Sequence, residues 1–62
     1  RRYEVVERKR LVTEVVALFT DAPRAGRRLE TVLVTPTGSD AERPIGIVTI
    51  QDLPKLYALI TP

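Results

Sequence analysis

The stretch Arg43-Pro44-Ile45-Gly46-Ile47-Val48-Thr49-Ile50-Gln51-Asp52-Leu53 decides the fold, because an apolar strand runs into a Thr and an Asp three residues apart, where a helix can begin. Successive strand side chains face opposite ways. Ile45, Ile47 and Thr49 therefore share one face, and Val48 and Ile50 the other. Pro44 to Ile50 is apolar on both faces, which predicts a strand covered on both sides at the centre of its sheet. Beyond it, the first amide N–H groups of a helix have no partner within the helix, and with the positive dipole end they attract anions.

Downstream, Leu53, Leu56, Tyr57 and Ile60 fall at offsets of three, four and seven, one apolar face of an amphipathic helix. Two starts compete for it. Thr49 and Asp52 form a capping box with Asp in place of Glu, but Pro54 then falls at the fifth helical position and forfeits a backbone bond. Asp52 as N-cap puts Pro54 at the second helical position, the cheaper arrangement, and leaves Thr49 as the last strand residue beside the turn.

Upstream, Tyr3 to Glu7 carries β-branched Val5 and Val6 and reads as a first strand. Leu11, Val12, Val15, Val16, Leu18, Phe19 and Ala22 make a broad helical stripe that Pro23 ends, with Thr13 and Glu14 on the polar side. Valines lower the intrinsic helix propensity there, so packing must stabilise this helix. Leu29 to Thr35 is a second strand, with Thr31, Leu33 and Thr35 on one face and Val32 and Val34 on the other. Pro36 to Arg43 collects turn formers and charge and reads as an exposed loop. The order is strand, helix, strand, strand, helix, without an internal repeat.

The chain has 62 residues, 44% hydrophobic and 29% charged, which fits one small domain spanning 1–62 and excludes a disordered tail. A chain this short buries only about 60% of the surface its unfolded form exposes. It has no Cys for a disulfide and no His for a zinc site. Association with a second copy, or with a neighbouring stretch of a longer chain, is the expected extra stabiliser. The lack of an initiator Met agrees with the second option. No window approaches the apolar length of a membrane span, and the Arg1-Arg2 start leads into no signal-peptide core. The expected location is cytoplasmic.

A formal net charge of +2 is too mild for a nucleic-acid-binding domain, and three aromatics give no stacking platform. Basic residues cluster nonetheless, Arg1, Arg2, Arg8, Lys9 and Arg10 before the first helix and Arg24, Arg27 and Arg28 after it. A solvated rim accounts for them, and the second group is also placed to approach a phosphate chain.

Two segments resemble a single cystathionine-β-synthase-type motif, the CBS domain, a module that recurs in pairs. Val6-Glu7-Arg8-Lys9-Arg10-Leu11-Val12-Thr13-Glu14-Val15-Val16-Ala17-Leu18-Phe19 is similar to that family's strand valine, short polar stretch and helix opening. Gly46 to Leu53 resembles its closing signature of Gly, two apolar residues, Thr or Ser, two variable residues, Asp and Leu. Thr31 stands where the family often has Pro, and Thr35 with the longer loop Pro36 to Arg43 stands where it often has Asp and a tight Gly turn. Lys9 and Arg10 replace the usual cap and put positive charge at a positive dipole end.

The resemblance implies an α+β fold, a β-α-β-β-α motif whose small three-stranded sheet packs against two helices and pairs with a second motif, as a homodimer or within a longer chain. It also implies a regulatory module that binds an adenosine nucleotide, AMP, ATP or S-adenosylmethionine, in the cleft between motifs and modulates an attached effector. Thr49 then meets a phosphate and Asp52 the ribose hydroxyls, with Tyr3, Val5, Val6 and Val32 as walls for the adenine. The chemistry suits these residue types, since a carboxylate accepts from vicinal hydroxyls and a Thr hydroxyl donates to phosphate. Thr and Asp at such a junction also serve as helix caps without any ligand, and a structural dimerisation module with no small molecule is the alternative. Tyr57 reads as an interface aromatic.

No catalytic residue is expected. His and Cys are absent, and Ser39 and the seven threonines have no evident activating partner. No metal site or prosthetic group is expected either, because the carboxylates are dispersed and Asp40 with Glu42 alone cannot cage a hard cation.

Overall fold

A computed structural model describes residues 2–60, so Arg1 of the basic cluster, Thr61 and Pro62 lie outside the described residues. Strand β1 (Tyr3–Glu7) leads into helix α1 (Val12–Asp21), followed by a 3₁₀ turn (Pro23–Ala25), strands β2 (Thr31–Thr35) and β3 (Gly46–Thr49), a second 3₁₀ turn (Ile50–Asp52) and helix α2 (Leu53–Ile60). The fold is α+β, a three-stranded mixed sheet with two helices. No helix among the described residues is long and apolar enough to cross a membrane.

β2 lies at the centre of the sheet, parallel to β1 and antiparallel to β3. The expectation that the third strand is central is corrected here. A parallel pair needs a long crossover, which α1 provides, so β1 takes one side of β2 and the hairpin return takes the other. β3 is left at an edge, with Ile45 58% and Ile47 63% exposed. Its regular pairing is also shorter than the apolar run Pro44 to Ile50.

Paired residues share a face, and the register sorts the sheet into two. Val6, Val32, Val34 and Val48 face the helices, where Val6 and Val32 form one core with Val15, Phe19, Ala22 and Leu29, and Leu18, Leu53 and Leu56 pack at its margin. Tyr3, Val5, Leu33, Ile47, Thr31 and Thr49 lie on the opposite face, which no helix among the described residues covers. α2 has no buried residue, and Tyr57, Leu59 and Ile60 on it are exposed.

The helix ends follow local chemistry. Leu11, which has no side-chain acceptor, is the N-cap of α1; Glu14 reaches back to its amide at 3.4 Å and binds the Arg10 guanidinium at 2.8 Å. This pair answers the unfavourable basic charge read at the helix start, because a carboxylate in the first turn suits the dipole and neutralises the Arg. Pro23 ends α1, Gly26 closes the following turn at φ 73°, and the Arg27 amide returns to the Ala22 carbonyl at 2.8 Å.

The segment between β2 and β3 is organised by one carboxylate. Glu42 Oε1 accepts from the Thr37 amide at 2.9 Å, the Thr37 hydroxyl at 2.7 Å and the Ser39 amide at 3.2 Å. Thr35 is buried beneath this loop, 1% exposed, and its hydroxyl oxygen accepts from the Gly38 amide at 2.8 Å. Gly38 has φ 87°, and a Cβ there would sit 3.3 Å from the Glu7 amide nitrogen, so the loop turns back tightly under the end of β1.

Candidate functional site

β3 ends on Thr49, and the chain passes through the 3₁₀ turn into α2. The Thr49 amide donates to Asp52 Oδ2 at 2.9 Å, and the Thr49 hydroxyl donates to the same oxygen at 3.3 Å. Asp52 is therefore not the N-cap expected from Pro54. Thr49 caps, and Asp52 accepts from the Thr49 amide as its partner in a capping box. The 3₁₀ turn explains how Pro54 fits. Leu53 donates to the Ile50 carbonyl in a tighter turn, and the regular helix begins only at Leu53, so Pro54 falls where an amide is not needed.

Both hydrogen bonds of Asp52 among the described residues go to Oδ2. Oδ1 keeps its full acceptor capacity on a half-buried side chain that its neighbour holds in place. A carboxylate fixed in this way presents one oxygen to a donor such as a sugar hydroxyl without losing rotamer freedom at the moment of binding.

The register adds neighbours to this junction. Tyr3, Thr31 and Thr49 are successive cross-strand partners and form one row across the uncovered face, with Val5, Leu33 and Ile47 as the next row. Tyr3 and Thr49 flank Thr31 and stand about 10 Å apart, two strand spacings. Val6 and Val32, expected as adenine walls with Tyr3 and Val5, lie on the other face, 5% and 0% exposed in the core. Four of the six residues are thus brought to one side, and two support the sheet from beneath. Thr31 and Leu33 complete the surface; the alternation of the second strand grouped them, but only the register places them beside Tyr3 and Val5.

Charge gathers at the same end. The Ile50 amide donates to the Glu30 carbonyl at 3.1 Å, so residue 30 adjoins the turn. The Glu30 carboxylate lies 3.4 Å from the Arg28 guanidinium and 4.0 Å from that of Arg2. Two cations share one anion there, at an exposed position where each pair contributes roughly 0–1 kcal/mol. Arg27, read with Arg28 as a phosphate candidate, is engaged by Glu4 instead. No group of three or more His, Cys, Asp or Glu side chains among the described residues is arranged to hold a metal ion. No family model, curated protein or solved structure matches this chain.

Proposed function

We propose that the chain is a regulatory ligand-sensing module of the CBS type, which binds an adenosine nucleotide in a cleft completed by a second motif. The observation that carries the reading is the braced junction, Asp52 held through Oδ2 with Oδ1 free to accept, at the end of the row Tyr3, Thr31 and Thr49. Oδ1 takes ribose hydroxyls, the aromatic ring of Tyr3 lies along the base, and Arg2 with Arg28 offers charge to the phosphate. One such surface is open on one side, and the second motif closes it. Ligand then favours the closed arrangement of the pair, which is what an attached effector senses.

Titration calorimetry and thermal shift with AMP, ADP, ATP and S-adenosylmethionine test this reading. A ligand at 100 times its dissociation constant stabilises by about 2.7 kcal/mol. The proposal fails if none of the four shifts the melting temperature.

A second reading, a dimerisation module without a small molecule, is favoured by one observation, the uncovered apolar face with Ile45 and Ile47 more than half exposed. Asp52→Ala separates the two. Loss of ligand response with an intact dimer supports sensing, whereas a weakened dimer with no ligand response in either parent or variant supports scaffolding.

A further inference from the structure

Three threonines of the described residues are wholly or partly withdrawn from solvent, Thr31, Thr35 and Thr49. Thr35 accepts from the Gly38 amide, and Thr49 donates to Asp52. The Thr31 hydroxyl has no such partner among the described residues.

The ladder sets its position. The Ile50 amide donates to the Glu30 carbonyl at 3.1 Å, so residues 30 and 50 form a hydrogen-bonded pair of the antiparallel ladder. Thr31 and Thr49, the next pair along, are then a non-bonded one, with Cα atoms about 4.5 Å apart and side chains at their closest. The Thr49 amide agrees, since it turns off the sheet edge to Asp52 at 2.9 Å. Facing threonines often bond to each other, but here the Thr49 hydroxyl is given to Asp52, which leaves that of Thr31 open. On its other side Thr31 pairs with Tyr3, about one strand spacing of 4.8 Å away. Solvent can satisfy the hydroxyl while the face is open. An apolar cover would strand it, so whatever covers the face has to offer a hydrogen-bonding atom at this point.

We propose that the Thr31 hydroxyl is a ligand contact, donating to ring nitrogen N3 of the adenine. The inference rests on the sensing reading above and gives it a base contact. With the ribose hydroxyls at Asp52 and the base along Tyr3, the ligand atoms over Thr31 are those where sugar and base join. The acceptor at that join is N3, the ring nitrogen beside the glycosidic bond. A hydroxyl suits it, because its rotor turns a hydrogen to a neutral acceptor without bringing in a charge. Guanine carries the same nitrogen, so this contact positions the base without choosing between purines.

The test is titration calorimetry of the parent, Thr31→Val and Thr31→Ser. Each is titrated with whichever of AMP, ADP, ATP and S-adenosylmethionine the parent binds, and with its 3-deaza analogue, in which C–H replaces N3. Val keeps the shape and suits a strand, so the melting temperature without ligand should hold; Thr31→Ala takes its place if it folds poorly. Expected are about tenfold weaker binding by Thr31→Val, near-parent binding by Thr31→Ser, and about tenfold weaker binding of the 3-deaza analogue by the parent. Thr31→Val should bind the two ligands alike, because the bond is already gone. Equal affinity of parent and Thr31→Val, indifference of the parent to N3, or an undiminished response of Thr31→Val to its replacement overturns the proposal and leaves the sensing reading standing. A parent that binds none of the four overturns both.

Discussion

Asp52 holds Thr49 through a single carboxylate oxygen, 2.9 Å from the amide and 3.3 Å from the hydroxyl, and this contact joins the last strand residue to the start of α2. α2 has no buried residue, so the cap is a large share of what fixes its start. Asp52→Ala is expected to cost about 1 kcal/mol, the usual loss for a helix cap, and to lower the melting temperature by roughly 4–8 °C in a domain of this size. Hydrogen exchange of the α2 amides should accelerate while those of β2 stay protected. Unchanged exchange in α2 would show that packing of Leu53 and Leu56 alone sets the helix.

Val32 is fully buried at the middle of the central strand, packed within the cluster that includes Val15 and Phe19. Val32→Ala removes two methyl groups from a site that a small domain cannot readily collapse, at a cost of about 2 kcal/mol. Small domains have little stability in reserve. Urea melts should therefore show a lower midpoint with an unchanged slope, and adenosine ligands should bind as before once the protein is folded. A specific loss of ligand affinity in folded Val32→Ala would instead return this residue to the site.

The same strand shows which parts of the fold were legible. Alternation put Val32 and Val34 on one face and Thr31, Leu33 and Thr35 on the other, and the pairing follows that division. Tyr3 to Glu7 was readable to its ends, because β-branched valines stand alone before a polar turn. β3 misled for a physical reason. An apolar residue facing solvent and one facing a layer of the same chain look identical in sequence, so Ile45 and Ile47 read as a covered strand although no helix packs over them. The Thr49 and Asp52 pair was legible as a junction but not as a geometry. A 3₁₀ turn moved the start of α2 to Leu53, which removed the conflict with Pro54 that had favoured Asp52 as the cap.

Thr35 and Gly38 make the loop between β2 and β3 depend on a buried hydroxyl. Thr35→Val keeps the shape but leaves the Gly38 amide without its acceptor, at a cost of about 1–3 kcal/mol. Thr35→Ser retains the oxygen and should cost less. Gly38→Ala is unfavourable on a separate ground, since φ 87° strains an L residue and its Cβ meets the Glu7 backbone. Chemical denaturation of the three variants gives their order directly, and a Thr35→Val variant as stable as the parent would show that the hydrogen bond to Gly38 adds nothing.

Glu42 gives the loop a pH dependence of known sign. The Thr37 hydroxyl and amide, then the Ser39 amide, hold its carboxyl below the ordinary glutamate range, and the Arg10 guanidinium and the Leu11 amide do the same for Glu14. A carboxyl with a depressed folded value stabilises the fold above its unfolded value and loses that contribution as the pH falls through the folded one. Stability should thus decline on acidification below the ordinary glutamate range and be flat above it. Glu42→Gln should lower stability near neutrality and flatten the acid limb, an outcome that melting curves between acid and neutral pH resolve. A parallel downward shift at every pH would place the acid sensitivity elsewhere.

Ile47 stands beside Leu33 on the uncovered face and is 63% exposed, with Ile45 58% exposed nearby. Leaving such a surface in water forgoes about 25 cal/mol for each Å² of apolar area that a partner could remove. Both readings of the function use this face, one to close a ligand cleft and one to join two chains, so its association is a prediction they share. Sedimentation should show the average mass rising with concentration, and the melting temperature should rise with it. Ile47→Lys puts a charge into the face and should hold the chain as a monomer whose melting temperature no longer depends on concentration. The change sits on an edge strand and away from the core, so circular dichroism should be unaltered. If Ile47→Lys associates as the parent does, the exposed face of α2 at Tyr57, Leu59 and Ile60 is the surface that pairs, and the open row from Tyr3 to Thr49 is left free for a ligand in both states.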